Sequence, residues 1–159
     1  MKRLIFFILL IFTATIFSGC LPTNQAEQAI DLIVGNPRIK NTSPQDGTKR
    51  VNLDSKIIIE FNKEINPETL NNKNIVIEYL DDDNFNFYIN PFLASKYNYD
   101  SNTKILTIEP ADKFLPNQEI EVKLLSDIKS KEGKELARTS ESRENDNIRY
   151  VFRFKTTTE

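Results

Sequence analysis

The chain has 159 residues, with 21 lysines and arginines against 23 aspartates and glutamates, a formal charge of −2, one cysteine, no histidine and no tryptophan. These absences exclude Ser-His-Asp and Cys-His nucleophilic catalysis and zinc sites assembled from several His or Cys ligands. The acidic balance argues against nucleic acid as a partner, because phosphate contacts need a basic face.

The chain starts with Lys2 and Arg3, continues through the almost wholly apolar run Leu4 to Phe17, and reaches Cys20 by way of Ser18 and Gly19. Positive charge, apolar run and small residues in that order make a secretory signal over residues 1–19. The run is shorter than the about 20 apolar residues of a spanning helix. The segment resembles a bacterial lipoprotein lipobox, which implies a diacylglyceryl group on the Cys20 thiol, cleavage before Cys20 and acylation of the new amine. Phe17 departs from the aliphatic residue usual in that motif. An ordinary cleaved signal with an incidental cysteine and an uncleaved anchor are the alternatives, and the absence of a second thiol favours lipidation. At about 0.8 kcal/mol per buried CH₂, two or more acyl chains hold stably where one holds marginally. The expected partner of Cys20 is therefore a membrane, and the expected location is the cell envelope, outside the cytoplasm. Leu21 lacks the aspartate that marks inner-membrane retention in enteric bacteria, which favours an outer membrane where the cell has one. Loss of Lys2 and Arg3 leaves 19 basic against 23 acidic residues, a mature charge near −4.

Residues 20–36 read as the lipidated Cys and a tether. Ala26 to Ile33 has the pattern of two amphipathic helical turns, marginal alone, so Ile30, Leu32 and Ile33 either dock or stay disordered. Fully extended, the tether reaches about 50 Å.

From residue 37 to 159 short alternating segments separated by turn residues predict one all-β sandwich of about seven antiparallel strands. Ile57, Ile59 and Phe61 alternate with Lys56, Ile58 and Glu60, and Ile75, Ile77 and Tyr79 with Val76, Glu78 and Leu80. Between them Asn66-Pro67-Glu68-Thr69-Leu70 has a capping residue and a proline at the first helical position, which predicts one helical turn crossing from sheet to sheet. Phe85 to Ile89 is a further strand candidate. Ser95 to Asp100 and Ile105 to Glu109, joined by Asp100-Ser101-Asn102-Thr103, predict a hairpin. Ile120, Val122 and Leu124 alternate with Glu121 and Lys123. Tyr150, Phe152 and Phe154 alternate with Arg149, Arg153 and Lys155. Each of these last two strands is expected to have one wet face.

The ordered set of these pieces carries a resemblance. Pro37, Ser43-Pro44 and Gly47, the strand Ile57 to Asn62 with the turn Ile65 to Leu70, Leu106 to Pro110, Leu115 to Leu124, then Ile128, Gly133 and Leu136, and the closing Phe152-x-Phe154-x-Thr156 are similar to the bacterial immunoglobulin-like domain of the SbsA type, a family first defined in surface-layer proteins. Ser130 stands where that pattern has Asp. The resemblance implies an immunoglobulin-like β-sandwich and a short strand after Pro37.

Three other features have a chemical and a bland reading. Asp81-Asp82-Asp83-Asn84 is the one dense acidic run; calcium needs about 6 to 8 oxygens, and the run lacks the alternate spacing and glycine of a calcium loop, so a solvated turn is expected. Phe85, Phe87, Tyr88, Phe92, Tyr97 and Tyr99 cluster in one third of the chain and are expected chiefly in core and cross-strand contacts, with an exposed subset as a contact for protein or carbohydrate. Lys129, Lys131 and Lys134 are expected in a solvated loop. No cofactor and no catalytic group is expected. The sequence as a whole points to a lipid-anchored, non-catalytic module for adhesion, envelope structure or binding of a protein or glycan partner, with open sheet edges as a docking route. The alternatives are an accessory subunit of a secreted polysaccharide-processing enzyme and a periplasmic assembly factor.

Overall fold

The computed structural model describes residues 35–80, 95–139 and 147–159. Residues 1–34, 81–94 and 140–146 lie outside the described residues. The signal segment, Cys20, most of the tether, the acidic run at Asp81 to Asp83 and the Phe85 to Ile89 strand candidate fall there.

The described residues form eight strands: β1 (Ile39–Ser43), β2 (Thr48–Val51), β3 (Ile57–Phe61), β4 (Ile75–Leu80), β5 (Ser95–Asp100), β6 (Ile105–Pro110), β7 (Glu119–Leu125) and β8 (Ile148–Thr156). They make two four-stranded sheets, ordered β1-β3-β6-β5 and β2-β8-β7-β4. Without β2, this is the division of an immunoglobulin-type sandwich into four strands on one sheet and three on the other. The expected sandwich of about seven strands is present, and one pairing differs from the antiparallel expectation: β2 runs parallel to β8. Periodicity did not reveal β2 because it buries a single side chain, Val51. Its ladder is also irregular between Thr48 and Val51, where Arg50 takes a positive φ of 61°. The chain moves from the first sheet to the second between β1 and β2, through a cis Ser43-Pro44 bond and Gly47 at φ 74°. There the Gly47 N–H donates to the Arg153 carbonyl at 2.8 Å.

The alternation expected in β3 holds: Ile57, Ile59 and Phe61 are buried and Ile58 is exposed. In β4 Ile75 and Ile77 are buried while Tyr79 is half-buried against the core. Residues Ile120, Val122 and Leu124 of β7 and Phe152 and Phe154 of β8 close the other wall, with Leu106 and Ile108 of β6 facing them. Burial of eighteen such side chains among the described residues, at about 25 cal/mol per Å² of apolar surface, is the main force holding the sheets together.

The expected hairpin is present, with β5 and β6 in unbroken register from Ser95↔Pro110 to Asp100↔Ile105. So is the helical turn: Pro67–Thr69 is a 3₁₀ turn, Asn66 caps it by accepting the Glu68 N–H at 3.1 Å, and it links β3 in one sheet to β4 in the other.

Candidate functional site

The outer face of the β2-β8-β7-β4 sheet carries a charged lattice. Register places Glu78, Glu121 and Arg153 in one cross-strand row. Glu121, 4% exposed, accepts from Lys123 Nζ at 2.7 Å and from Arg153 Nε at 2.6 Å and Nη2 at 2.5 Å. Lys123 also pairs with Glu78, and the Arg153 backbone N–H donates to Asp46 Oδ1 at 2.7 Å. Burial disfavours the charge of Glu121, but the hydrogen bonds from Lys123 and Arg153 outweigh it and hold the carboxyl below the usual range. Burial likewise opposes the Lys123 charge, and Glu121 and Glu78 outweigh it to hold its pKa above the ordinary value. A carboxylate committed to two cations is neither a base nor a free ligand. The expected wet face of β7 is therefore closed at Glu121, because Lys123 of the same strand and Arg153 of β8 cover it.

Among the described residues nothing covers the outer face of the β1-β3-β6-β5 sheet, and it is differently patterned. Its middle cross-strand row is uncharged: Ser43, Ile58, Thr107 and Asn98. One flanking row holds Lys56, Glu109 and Lys96, with Lys56 Nζ on Glu109 Oε1 at 2.6 Å. The Lys56 ammonium holds the exposed Glu109 carboxyl below its usual range. The other flanking row holds Asn41, Glu60, Ile105 and Asp100, with Lys40 Nζ on Glu60 Oε1 at 2.5 Å. Backbone and side-chain bonds from Asn102 and Thr103 hold the exposed Asp100 carboxyl low. Ile58, at 37%, is one of two exposed large hydrophobic residues among those described; the other is Leu115.

At the end of the sandwich, Leu53, Asp54, Pro110, Ala111, Asp112 and Lys113 line an open depression of about 160 Å³, below the about 300 Å³ at which ligand pockets begin. Asp54 and Asp112 are exposed there. Among the described residues no group of three or more His, Cys, Asp or Glu is placed to hold a metal ion, and no helix is long and apolar enough to cross a membrane.

Tyr97 and Tyr99 are partly buried against the core, with Tyr99 edge-on to Phe61 at 6.3 Å, as expected for core aromatics. The Tyr99 hydroxyl accepts the N–H of the buried Ile65 at 2.9 Å, and the Tyr79 hydroxyl accepts the Leu115 N–H at 3.1 Å. Each tyrosine thus pins a connecting segment to a strand. Lys131 lies in an exposed turn, paired with Glu64 at 3.1 Å, and Lys129 and Lys134 flank it half-buried. Ser130 is buried at the base of that turn. Its Oγ accepts the Lys134 N–H at 3.3 Å and bonds the Glu132 carboxyl, holding it below its usual range. A hydroxyl thus bonds the turn at the position where the related pattern has Asp, and Gly133 at φ 81° completes it. Phe85, Phe87, Tyr88 and Phe92 lie outside the described residues.

Alternation missed both the Glu121 lattice and the row pattern of the open face. The available signal was the opposite signs of Glu121 and Lys123 in one strand and Arg153 in another, which becomes informative only once the strands are paired.

Residues 34–156 match the family described as bacterial Ig-like domain. Among solved structures, the crystal structure of the S-layer protein rSbsC(31-844) superposes with a TM-score of 0.53 at 14% identity, over 86% of this chain and 16% of that one. The chain thus spans about a sixth of that S-layer protein. The selenomethionine structure of PcoC, a copper resistance protein from Escherichia coli, superposes with a TM-score of 0.53 at 15% identity, over 75% of this chain and 98% of that one. A comparison with curated proteins finds no match. At these identities the two structures speak for the sandwich fold alone.

Proposed function

We propose, from the premise that the chain belongs to the bacterial Ig-like domain family, that it is a lipid-anchored, extracytoplasmic module that acts by presenting sheet faces and edges to a protein or glycan partner, without catalysis. The observation that carries this reading is the sequence Met1 to Cys20, a secretory signal ending in small residues and the chain's only cysteine, placed immediately before an Ig-like domain. Diacylation at Cys20 confines the module to a membrane surface and leaves its faces open to the envelope. The described carboxylates and cations support a binding rather than a chemical role, since the buried ones are saturated by each other. The copper function named for PcoC finds no support here, because soft copper sites draw on His, Met and Cys and this chain has no His, one Met and one Cys.

The test is mass spectrometry of the N-terminal peptide from the membrane fraction. A mature chain starting at Cys20 and carrying diacylglyceryl is the expected result, and a Cys20→Ser variant is expected to lose the lipid and to keep residues 1–19. An unmodified Cys20 in the native protein overturns the anchoring and the location built on it.

A further inference from the structure

We propose that the outer face of the β1-β3-β6-β5 sheet docks against the same face of a second copy of this chain, about a two-fold axis lying along the row Ser43, Ile58, Thr107, Asn98. The observation is the antisymmetry of charge about that row. On one side stand Lys56 and Lys96 with Glu109, on the other Glu60 and Asp100 with Lys40. Within the molecule Lys56 is engaged with Glu109 and Lys40 with Glu60, which leaves the face with a net positive row and a net negative row, set by Lys96 and Asp100 at opposite ends of β5.

A two-fold axis along the neutral row reverses the strand direction of the second copy while keeping each strand opposite itself. Lys96 then faces the second copy's Asp100, and Asp100 faces its Lys96. Lys56 faces the second copy's Glu60, and Glu109 faces Ile105 rather than a like charge. Ile58 meets Ile58, and the amides of the two Asn98 residues meet as mutual donors and acceptors. An axis along the strands at the centre of the face would set Lys56 opposite the second copy's Glu109 but would leave Lys96 beyond the end of β1 and Asp100 opposite Asn41, so the Lys96–Asp100 pairs are lost. Self-complementarity of this kind is what an isologous interface requires. Four strands about 4.8 Å apart and five residues at about 3.3 Å give a face of about 19 by 17 Å, roughly 650 Å² over both copies and so below the about 1,200 Å² at which standard interfaces begin. The contact is therefore weak in solution and gains from confinement to one surface.

The test uses the purified full chain in detergent. Lys96→Asp and Asp100→Lys are each expected to weaken dimerisation about tenfold by analytical ultracentrifugation, since each replaces two attractions with two repulsions. The double variant Lys96→Asp/Asp100→Lys is expected to restore it, which also separates the charge effect from damage to the Asp100 turn. Face-to-face sheets lie about 10 Å apart, so in a Cys20→Ser background, which holds no other thiol, Asn98→Cys is expected to give a covalent dimer with a short bis-maleimide, while Cys20→Ser alone and the same background with Lys49→Cys, on the other sheet, do not. Two results overturn the proposal: a protein monomeric at all concentrations, or a dimer that is indifferent to both single swaps and does not cross-link at position 98. Because these readouts are made on purified protein, they do not depend on lipidation of Cys20.

Discussion

Replacing Glu121 by glutamine tests the account of the charged lattice most directly, because it removes the charge and keeps the volume. Glu121 accepts one bond from Lys123 and two from Arg153, and a hydrogen bond to a charged group contributes about 1.5–3 kcal/mol. Removing one partner of a fully buried pair costs about 3–5 kcal/mol. Here the Arg153 side chain is 54% exposed and can turn to water, and Lys123 retains Glu78. The expected loss is therefore about 2 kcal/mol, a fall of about 6–10 °C in melting temperature for a domain of this size. The lattice holds the folded-state pKa of Glu121 below its unfolded value. Its contribution is thus fully present above the ordinary glutamate range and is lost as pH falls through the folded pKa. Urea unfolding of the parent and Glu121→Gln at pH 7 and at successively lower pH measures both quantities. The gap between the two proteins is expected to be widest at pH 7 and to close on acidification. A gap below about 0.5 kcal/mol at pH 7, or one unchanged at acid pH, would refute the reasoning that the pair stabilises through charge.

Three further outcomes follow from the packing. Ile59→Ala, at a fully buried position on an inner strand, is expected to cost about 3–4 kcal/mol in denaturant unfolding, whereas Ile58→Ala next to it is expected to cost under about 1 kcal/mol; a larger cost at Ile58 than at Ile59 would mean that β3 faces the other way. Tyr99→Phe removes the acceptor of the Ile65 N–H and is expected to cost about 1–2 kcal/mol and to speed amide exchange at Ile65 itself; unchanged exchange there would show that the hydroxyl does not hold that segment. Asn66→Ala removes the cap of the 3₁₀ turn and is expected to cost about 1 kcal/mol by thermal unfolding; a neutral result would assign the turn's stability to Pro67 and the buried Leu70 alone.

The parts of the fold that could be read from the sequence are those governed by rules acting within one segment. Alternation in Ile57-Ile58-Ile59-Glu60-Phe61 sorts the residues by side of a strand, and the Asn66-Pro67 pair signals a capped turn, whatever the rest of the chain does. Strand β2 escaped that reading because Thr48-Lys49-Arg50-Val51 exists as a strand only through its partner β8; its one buried side chain is too little for a period. The same limit explains the face of β7. Alternation assigns Glu121 to the side away from the core, and the structure agrees, but alternation says nothing of what lies across from a residue in the neighbouring strand. Pairing with β8 brings Arg153 beside Glu121, and that pairing, joined to the contact from Lys123 of β7 itself, takes Glu121 from water. The open face of the other sheet shows the converse case. Lys96 and Asp100 sit four residues apart in one strand with no local signature beyond ordinary surface charge, and they acquire a common geometry only when β5, β6 and β3 align their neighbours into rows. Structure that depends on one segment, such as the capped turn at Asn66, is therefore readable from the chain, while chemistry that depends on rows across strands becomes visible only after the sheets are formed.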